Sequence, residues 1–226
     1  MQTEVVRTTA EIPKVYVGHR IAPGSFAWFL PLQSGSTQRI KIGISTTTGE
    51  NDVCFREFLS VLRAQGLLPP SDTPQPRGWM IPITPIPRTF ANRVLAVGDA
   101  AGQTKPTTGG GLYYGLLCAK IAAETLAEAF HQDKLSAQHL ESYEVRWKHR
   151  LGKELRAALM FRQLIEQLSD RELDCLFQLA RHDSFLRFLE RRANFDWHRD
   201  LILHVSRKPR FAVALLQGML RSWLPA

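Results

Sequence analysis

The chain has 226 residues, 44% of them apolar, and a formal net charge of +8. That is enough apolar material for a real core, in one large domain or parts of two. Cys54, Cys118 and Cys175 are odd in number and far apart, with no Cys-x-x-Cys pair, and the histidines show no metal-ligand spacing. This excludes a disulfide framework and a zinc site. No apolar run reaches the roughly 18 residues of a membrane span, and the first residues, Met-Gln-Thr-Glu-Val-Val-Arg, lack the regions of a signal peptide. A cytoplasmic protein is expected. The basic excess lies mainly from Arg146 onward; no arginine-rich tract accompanies it, so nucleic acid is not an expected partner.

The first 50 residues read as β-structure. Val15–Val17 is a short strand, and Phe26–Leu30 a second, bounded by Pro23-Gly24 and Pro31. Arg39–Ile44 alternates charged and apolar residues as a half-buried strand does, and Ser34-Gly35-Ser36 supplies the turn between the last two. Asp52 is placed to cap a helix from about Val53 to Gln65, with Phe55, Phe58, Leu59 and Leu62 on its buried face and Gly66 at its end. A proline-rich segment follows, with Trp79-Met80-Ile81 as a short edge strand inside it.

Residues 93–115 carry the strongest pattern: an apolar run Val94–Val97, a turn at Gly98-Asp99, then Pro106 and the triplet Gly109-Gly110-Gly111. Beyond them Leu112, Leu116, Ala119, Ala123, Leu126 and Phe130 recur at helical spacing, predicting the inner face of a long helix. The predicted unit is buried strand, tight turn with one carboxylate, loop of small residues, helix. Such a loop lets a flat ligand approach the backbone, and the free N–H groups at the helix start favour an electron-rich atom of it. A further helix opens at Ser136, its cap, and keeps Leu140, Tyr143, Trp147, Leu151 and Leu155 on one face, as one long helix or two with a kink near Gly152. Ser169 followed by Glu172 is a capping box opening the next. Shorter helices are predicted near Phe185–Arg192 and Pro209–Leu220.

The string Arg93–Gly102 resembles the second flavin fingerprint of FAD-dependent enzymes with the p-hydroxybenzoate hydroxylase fold, and its continuation Lys105–Gly115 narrows the resemblance to the geranylgeranyl reductase family. Pro23–Pro31 is similar to that family's P-x-x-Y-x-W-x-F-P motif, with Phe26 replacing the tyrosine and Leu30 the phenylalanine. The Gly-x-Gly that follows it in the family stands here at a longer gap, with Gly43 present and Ser45 in place of the second glycine.

What the resemblance implies is a flavoenzyme reducing isoprenoid C=C bonds, with FAD as cofactor and an external donor, such as NAD(P)H or ferredoxin, left open. It assigns Asp99, with its neighbours Gly98 and Ala100, to the ribityl side of the flavin. Pro106, Gly109, Gly110, Gly111 and Leu112 are assigned to the ring. Phe26, Trp28 and Pro31 are assigned to the lipid substrate; Tyr113, beside the glycine loop, is expected on its own position to face the substrate, with core packing as the alternative. No catalytic side chain is assigned. An exposed position is expected for Lys105.

No Gly-x-Gly-x-x-Gly occurs in the chain, so the expected fold class is α+β, a partial FAD-binding flavoprotein fold without its N-terminal Rossmann half. The expected division is a partial substrate-binding sheet domain over residues 1–75, the C-terminal part of the FAD domain over 76–132 and a helical region over 133–226. The missing half is an expected partner, together with an apolar isoprenoid substrate. The basic last helices, with Phe211–Leu220 and Trp223, suit peripheral contact with a membrane. Two other readings stay open: a flavin monooxygenase of an aromatic or polyketide-like substrate, and a truncated non-catalytic domain binding lipid or a partner.

Overall fold

The computed structural model describes residues 1–6, 12–34, 37–72, 74–181 and 183–207. They form two compact units, Met1–Trp79 with Glu166–Cys175, and Met80–Ile165 with Leu176–Ala226. The predicted turn at Gly35-Ser36 and the predicted helix from Pro209 lie outside the described residues, as does the segment Phe211–Leu220.

In the first unit, strands β1 (Gln2–Val6), β2 (Lys14–Val17), β3 (Phe26–Ser34) and β4 (Thr37–Ile44) form an antiparallel sheet in the order β1-β4-β3-β2. The alternation of β3 and β4 turns Ala27, Phe29, Ile40, Ile42 and Ile44 inward, where each is fully buried. Helix α1 (Asn51–Ala64) covers that face with Cys54, Phe55, Phe58, Leu59 and Leu62. Tyr16 adds an edge-on contact to Phe58, ring centroids 5.1 Å apart. Gly66, at φ 70°, ends the helix as expected, and Leu67 N–H closes back on Leu62 O at 2.9 Å.

Several expectations are corrected here. Strand β1 is an element the sequence reading lacked; its residues show no clear alternation, and it is held by five register pairs with β4. Pro31 does not end β3, which continues to Ser34. The pairing with β2 stops at Phe29, so beyond it β3 is an edge where a missing N–H costs no ladder bond. Trp79-Met80-Ile81 forms no strand; the chain makes only a single bridge, Arg77 to Gln2, before prolines interrupt it. Asp52 lies inside the first turn of α1 rather than capping it.

In the second unit, β5 (Phe90–Ala91) and β6 (Val94–Leu95) make a two-residue ladder, reversed at Arg93, whose φ is 61°. The run Val94–Val97 is therefore not a buried strand. With β5 as its ladder partner, Val94 stays 56% exposed. A 3-10 turn over Gly98–Ala101 leads to helix α2 (Leu112–His131). Helix α3 (Ala137–Glu166) runs unbroken through Gly152. Its Tyr143, Trp147, Leu151 and Leu155 pack against Tyr114, Cys118 and Ala122 of α2.

The buried face of α2 is thus Tyr114, Cys118, Ala122, Thr125 and Ala129. Most of the face predicted to be inside is outside: Leu112 is 81% exposed, and Leu116 and Phe130 are each 64% exposed, while Leu126 packs against the cluster of Phe90, Ala129 and Leu140. At the start of α3 the cap also differs. Asn92 Oδ1, in the β5–β6 turn, accepts the Ala137 N–H at 2.7 Å, while the Ser136 hydroxyl meets His139 Nδ1. The expected capping box does form, with Ser169 N–H donating to Glu172 Oε2 at 2.9 Å and Glu172 N–H to Ser169 Oγ at 3.4 Å. It opens α4 (Asp170–Ala180), followed by α5 (Asp183–Arg192) and α6 (Arg199–Ser206). No helix among the described residues is long and apolar enough to cross a membrane.

Candidate functional site

The turn after β6 requires its glycines. Gly98 sits at φ 65° and Gly102 at φ 66°. A Cβ on Gly102 would stand 2.0 Å from Thr84 O, so no other residue fits there. The turn is then fixed from inside by a relay of polar groups. Gln103, fully buried, accepts the Gly98 N–H at Oε1 (2.8 Å) and donates from Nε2 to the Tyr143 hydroxyl (2.9 Å). That hydroxyl donates to Ala96 O at 3.0 Å. Burial pushes the Tyr143 phenol up to about 12, against the opposing effect of the Gln103 hydrogen bond, so it stays a neutral donor.

Asp99 and Ala100 are exposed at the tip of this turn. Among the described residues the Asp99 carboxylate has no hydrogen-bond or ion-pair partner. It leans on the start of α2 instead: a Cβ at Gly111 would lie 2.6 Å from Asp99 Oδ1.

The glycine loop closes on itself. Lys105 N–H donates to Gly110 O at 3.0 Å, and Gly109 N–H donates to Lys105 O at 2.8 Å. Gly109 adopts φ 72°, which favours glycine. Thr104 donates its hydroxyl to Pro82 O, and the buried Pro106 carbonyl accepts Arg162 Nη1 at 2.9 Å. Gly110 N–H reaches Thr108 Oγ1 at 3.4 Å. No side chain caps α2, and among the described residues the N–H groups of Gly111 and Leu112 have no acceptor. An exposed carboxylate therefore stands beside two unpaired amides at a positive helix end.

Lys105 is not the exposed loop residue expected. It is 4% exposed, with Nζ donating to Phe195 O at 2.9 Å and to Asp196 Oδ1 at 2.5 Å. Tyr114 donates its hydroxyl to Asp196 O at 2.7 Å. Burial, then the charges of Glu154 and Asp196, raises the Tyr114 phenol above its ordinary range. Tyr113, 38% exposed, meets the Trp197 ring edge-on at 6.0 Å.

In the first unit, Phe26 and Trp28 share the sheet face opposite α1, ring centroids 5.7 Å apart. Gly43 is the register partner of Trp28. A Cβ there would be 2.2 Å from Trp28 Cζ2, so the indole lies over bare backbone. Pro31 falls on the other parity, with Ala27 and Phe29, and is separated from that aromatic pair.

The structure thus brings Gly98, Asp99, Gly111 and Leu112 together, with Pro106 and Gly109 in the same loop. It adds Gln103, Arg162, Asp196 and His198, and gives Tyr143, expected only as a packed helix face, hydrogen bonds at the turn. The buried polar character of Gln103 and Lys105 left no signal, since loop polar residues are ordinarily solvated. Asp196 and His198 come from a segment about 90 residues further on, a distance that spacing within one chain does not reveal.

The chain is 34% identical over 169 residues to digeranylgeranylglycerophospholipid reductase 2 of Methanothermobacter thermautotrophicus, covering 74% of this chain and 43% of that protein. It is 32% identical over 175 residues to digeranylgeranylglycerophospholipid reductase of Methanocaldococcus jannaschii, covering 77% of this chain and 44% of that one. The chain spans less than half the length of either. A solved structure, a geranylgeranyl bacteriochlorophyll reductase-like protein of Thermoplasma acidophilum, superposes with a TM-score of 0.71 over 96% of this chain and 53% of that chain, at 20% identity.

The fold is therefore α+β and resembles part of a flavoprotein oxidoreductase. A family model described as lycopene cyclase protein matches residues 76–217, and the chain belongs to that family.

Proposed function

We propose that this chain carries the redox-ring side of an FAD site in an oxidoreductase that reduces C=C bonds of an isoprenoid lipid. The single observation that carries the reading is the Asp99–Gly111 contact. A carboxylate and an uncapped helix end, brought within van der Waals reach by a glycine, match the alcohol-rich and electron-rich parts of a flavin. Family membership implies the same cofactor, and the relatives named as geranylgeranyl lipid reductases point to the substrate class.

FAD, when bound, supplies the hydride that such a reduction needs. The residues of this chain bind and orient. Asp99 would accept hydrogen bonds from ribityl hydroxyls, with Gly98 and Ala100 leaving its tip unobstructed. Gly111 and Leu112 would donate their N–H groups to the electron-rich edge of the ring, where a helix end favours negative charge. Gly110, whose N–H is engaged within the loop, contributes by its lack of a side chain. Pro106 and Gly109 hold the loop closed and apolar. Phe26 and Trp28, both in the first unit, would offer aromatic surface to an isoprenoid chain.

The adenosine side of the cofactor falls to further polypeptide. The supporting feature is α2, whose Leu112, Leu116, Ala119, Ala123 and Phe130 make an exposed apolar face. An exposed apolar helix face of this kind is ordinarily covered, and the matches take in only 43% and 44% of the two relatives.

The experiment is a flavin titration of the purified chain and its Asp99→Ala variant, followed by absorption, then anaerobic reoxidation of the photoreduced flavin by a geranylgeranyl lipid. Saturable binding that Asp99→Ala weakens, with lipid-dependent reoxidation, is the expected result. Hydroxylated product with flavin peroxide formation in air would replace the reading by a monooxygenase. No binding by the chain or by the longer protein would leave a non-catalytic lipid-binding domain.

A further inference from the structure

The segment 194–199 is tied to the glycine loop and, separately, to α3. Asn194 Oδ1 accepts the N–H groups of Asp196 at 2.9 Å and Trp197 at 3.1 Å, shaping a tight turn. Glu154 of α3, 5% exposed, accepts the N–H groups of His198 at 2.5 Å and Arg199 at 2.9 Å. The turn then reaches the loop at Lys105 and Thr107, and the first turn of α2 at Tyr114. Lys105 donates to Phe195 O and Asp196 Oδ1, the Thr107 hydroxyl meets His198 Nδ1 at 2.7 Å, and Tyr114 donates to Asp196 O. The Lys105 ammonium also lies 4.3 Å from the Phe195 ring centroid. Its stem runs beneath the triplet, with Cδ and Cε each 3.8 Å from a Cβ built on Gly110.

We propose that the turn 194–199 is a clamp that sets the glycine loop in register with α3, with Lys105 as the positioning residue. A buried ammonium is tolerated only when it is paired, so Lys105 can sit where it does only with the turn in place. Because Asp196 neutralises it, little net charge is left under the loop. The role is therefore geometric, not a tuning of redox potential. The inference rests on the proposed flavin reading for what the loop holds, but not for the loop's order.

Amide hydrogen exchange over residues 105–111 tests it in the full chain, comparing wild type with Lys105→Met and Lys105→Arg. Lys105→Met should speed exchange in the loop by about tenfold, the scale of one hydrogen bond to a charged group, with α3 protection unchanged. Lys105→Arg, which keeps donors for Asp196 and Phe195 O, should restore most of the protection. In flavin-loaded protein, Lys105→Met should weaken flavin affinity by a similar factor and leave the reduction potential of the bound flavin in place. Unchanged loop exchange in Lys105→Met overturns the clamp, as does a potential shift without a change in exchange, or failure of Lys105→Arg to rescue. If wild type binds no flavin, the proposed function fails while the exchange data still decide the clamp. If Lys105→Met unfolds α3, Tyr114→Phe, which removes only the hydroxyl on Asp196 O, is read by the same exchange criterion.

Discussion

Asp99 fills the space that a side chain on Gly111 would occupy, its Oδ1 2.6 Å from the position of a Cβ there. Replacing Gly111 with Ala forces the carboxylate away and sets the new Cβ 3.2 Å from the Cγ2 of the buried Thr104, which must give by a few tenths of an ångström. Thermal stability should fall slightly, whereas flavin affinity should fall much further. Asp99→Ala should lower it by about 10–100-fold, the range for a hydrogen bond involving a charged group, roughly 1.5–3 kcal/mol. Paired melting curves and flavin titrations separate the two effects. A Gly111→Ala variant that binds flavin like wild type would show that the contact is incidental.

The contact between Trp28 and Gly43 makes a parallel case in the sheet. Any side chain at position 43 meets the indole, with Cζ2 at 2.2 Å and Cε2 at 2.3 Å from a Cβ there. Gly43→Val should destabilise the sheet by about 1–3 kcal/mol, as overpacking does. It should also shift tryptophan emission as Trp28 swings towards solvent. Urea denaturation with fluorescence detection measures both. An unchanged spectrum and midpoint would mean that Trp28 has another place to lie.

How much of this was legible in sequence divides along physical lines. Alternation along β4 and the Phe55, Phe58, Leu59, Leu62 stripe are each single-faced patterns, and they specify burial directly. The carboxylate, the proline and the glycine triplet were legible because backbone conformation at Gly98, Gly102 and Gly109 demands glycine. Helix α2 was not. It is apolar on two faces, and a period of 3.6 fixes the spacing of a face without choosing which face is inside. The chosen set began at Leu112, while the buried set begins at Tyr114, two residues or about 200° further round the helix. Lys105 and Asp196 were invisible for a different reason: a buried ion pair between distant segments leaves no periodic trace.

The two faces of α2 predict opposite responses to substitution. Leu116→Lys lies on the exposed face and should change stability by no more than about 0.5 kcal/mol, while reducing binding of a hydrophobic dye. Leu151→Ala, fully buried against α2 in α3, should cost about 2–5 kcal/mol. Chemical denaturation of both variants settles the orientation. Comparable losses would mean that the Leu116 face is covered within this chain.

The cysteines separate in the same way. Cys54 and Cys118 are buried and Cys175 is exposed. Burial raises the Cys54 thiol and pushes Cys118 up to about 12, so neither forms the reactive thiolate near neutral pH. Titration with a thiol-reactive chromophore should label Cys175 alone in the native chain, and the other two after denaturation. Early labelling of Cys118 would place the α2–α3 core under frequent opening.

Glu144 of α3 gives the chain an acid-sensitive contact with Thr89. Burial opposes its ionisation, but hydrogen bonds from Lys148 Nζ, Thr89 N–H and Thr89 Oγ1 outweigh that effect, and its pKa is lowered from 4.5. The three distances are 2.6, 2.7 and 2.9 Å. Trp147 Nε1 in turn donates to Thr89 Oγ1 at 2.9 Å, joining the network to the α2–α3 core. A depressed carboxylate binds its proton more weakly folded than unfolded, so the unfolded state takes up protons first as pH falls. The stabilising contribution is therefore complete above the ordinary value of 4.5 and is lost as pH drops through the lower folded value. Glu144→Gln keeps the shape and removes the ionisable group. Its denaturation midpoint should be lower than that of wild type at neutral pH, with the gap narrowing steadily below that value. Near-ultraviolet circular dichroism, to which Trp147 contributes as one of five tryptophans, should carry a component that follows the same curve in wild type and flattens in the variant. A gap that holds constant into acid would mean that the Glu144 contacts do not depend on its charge.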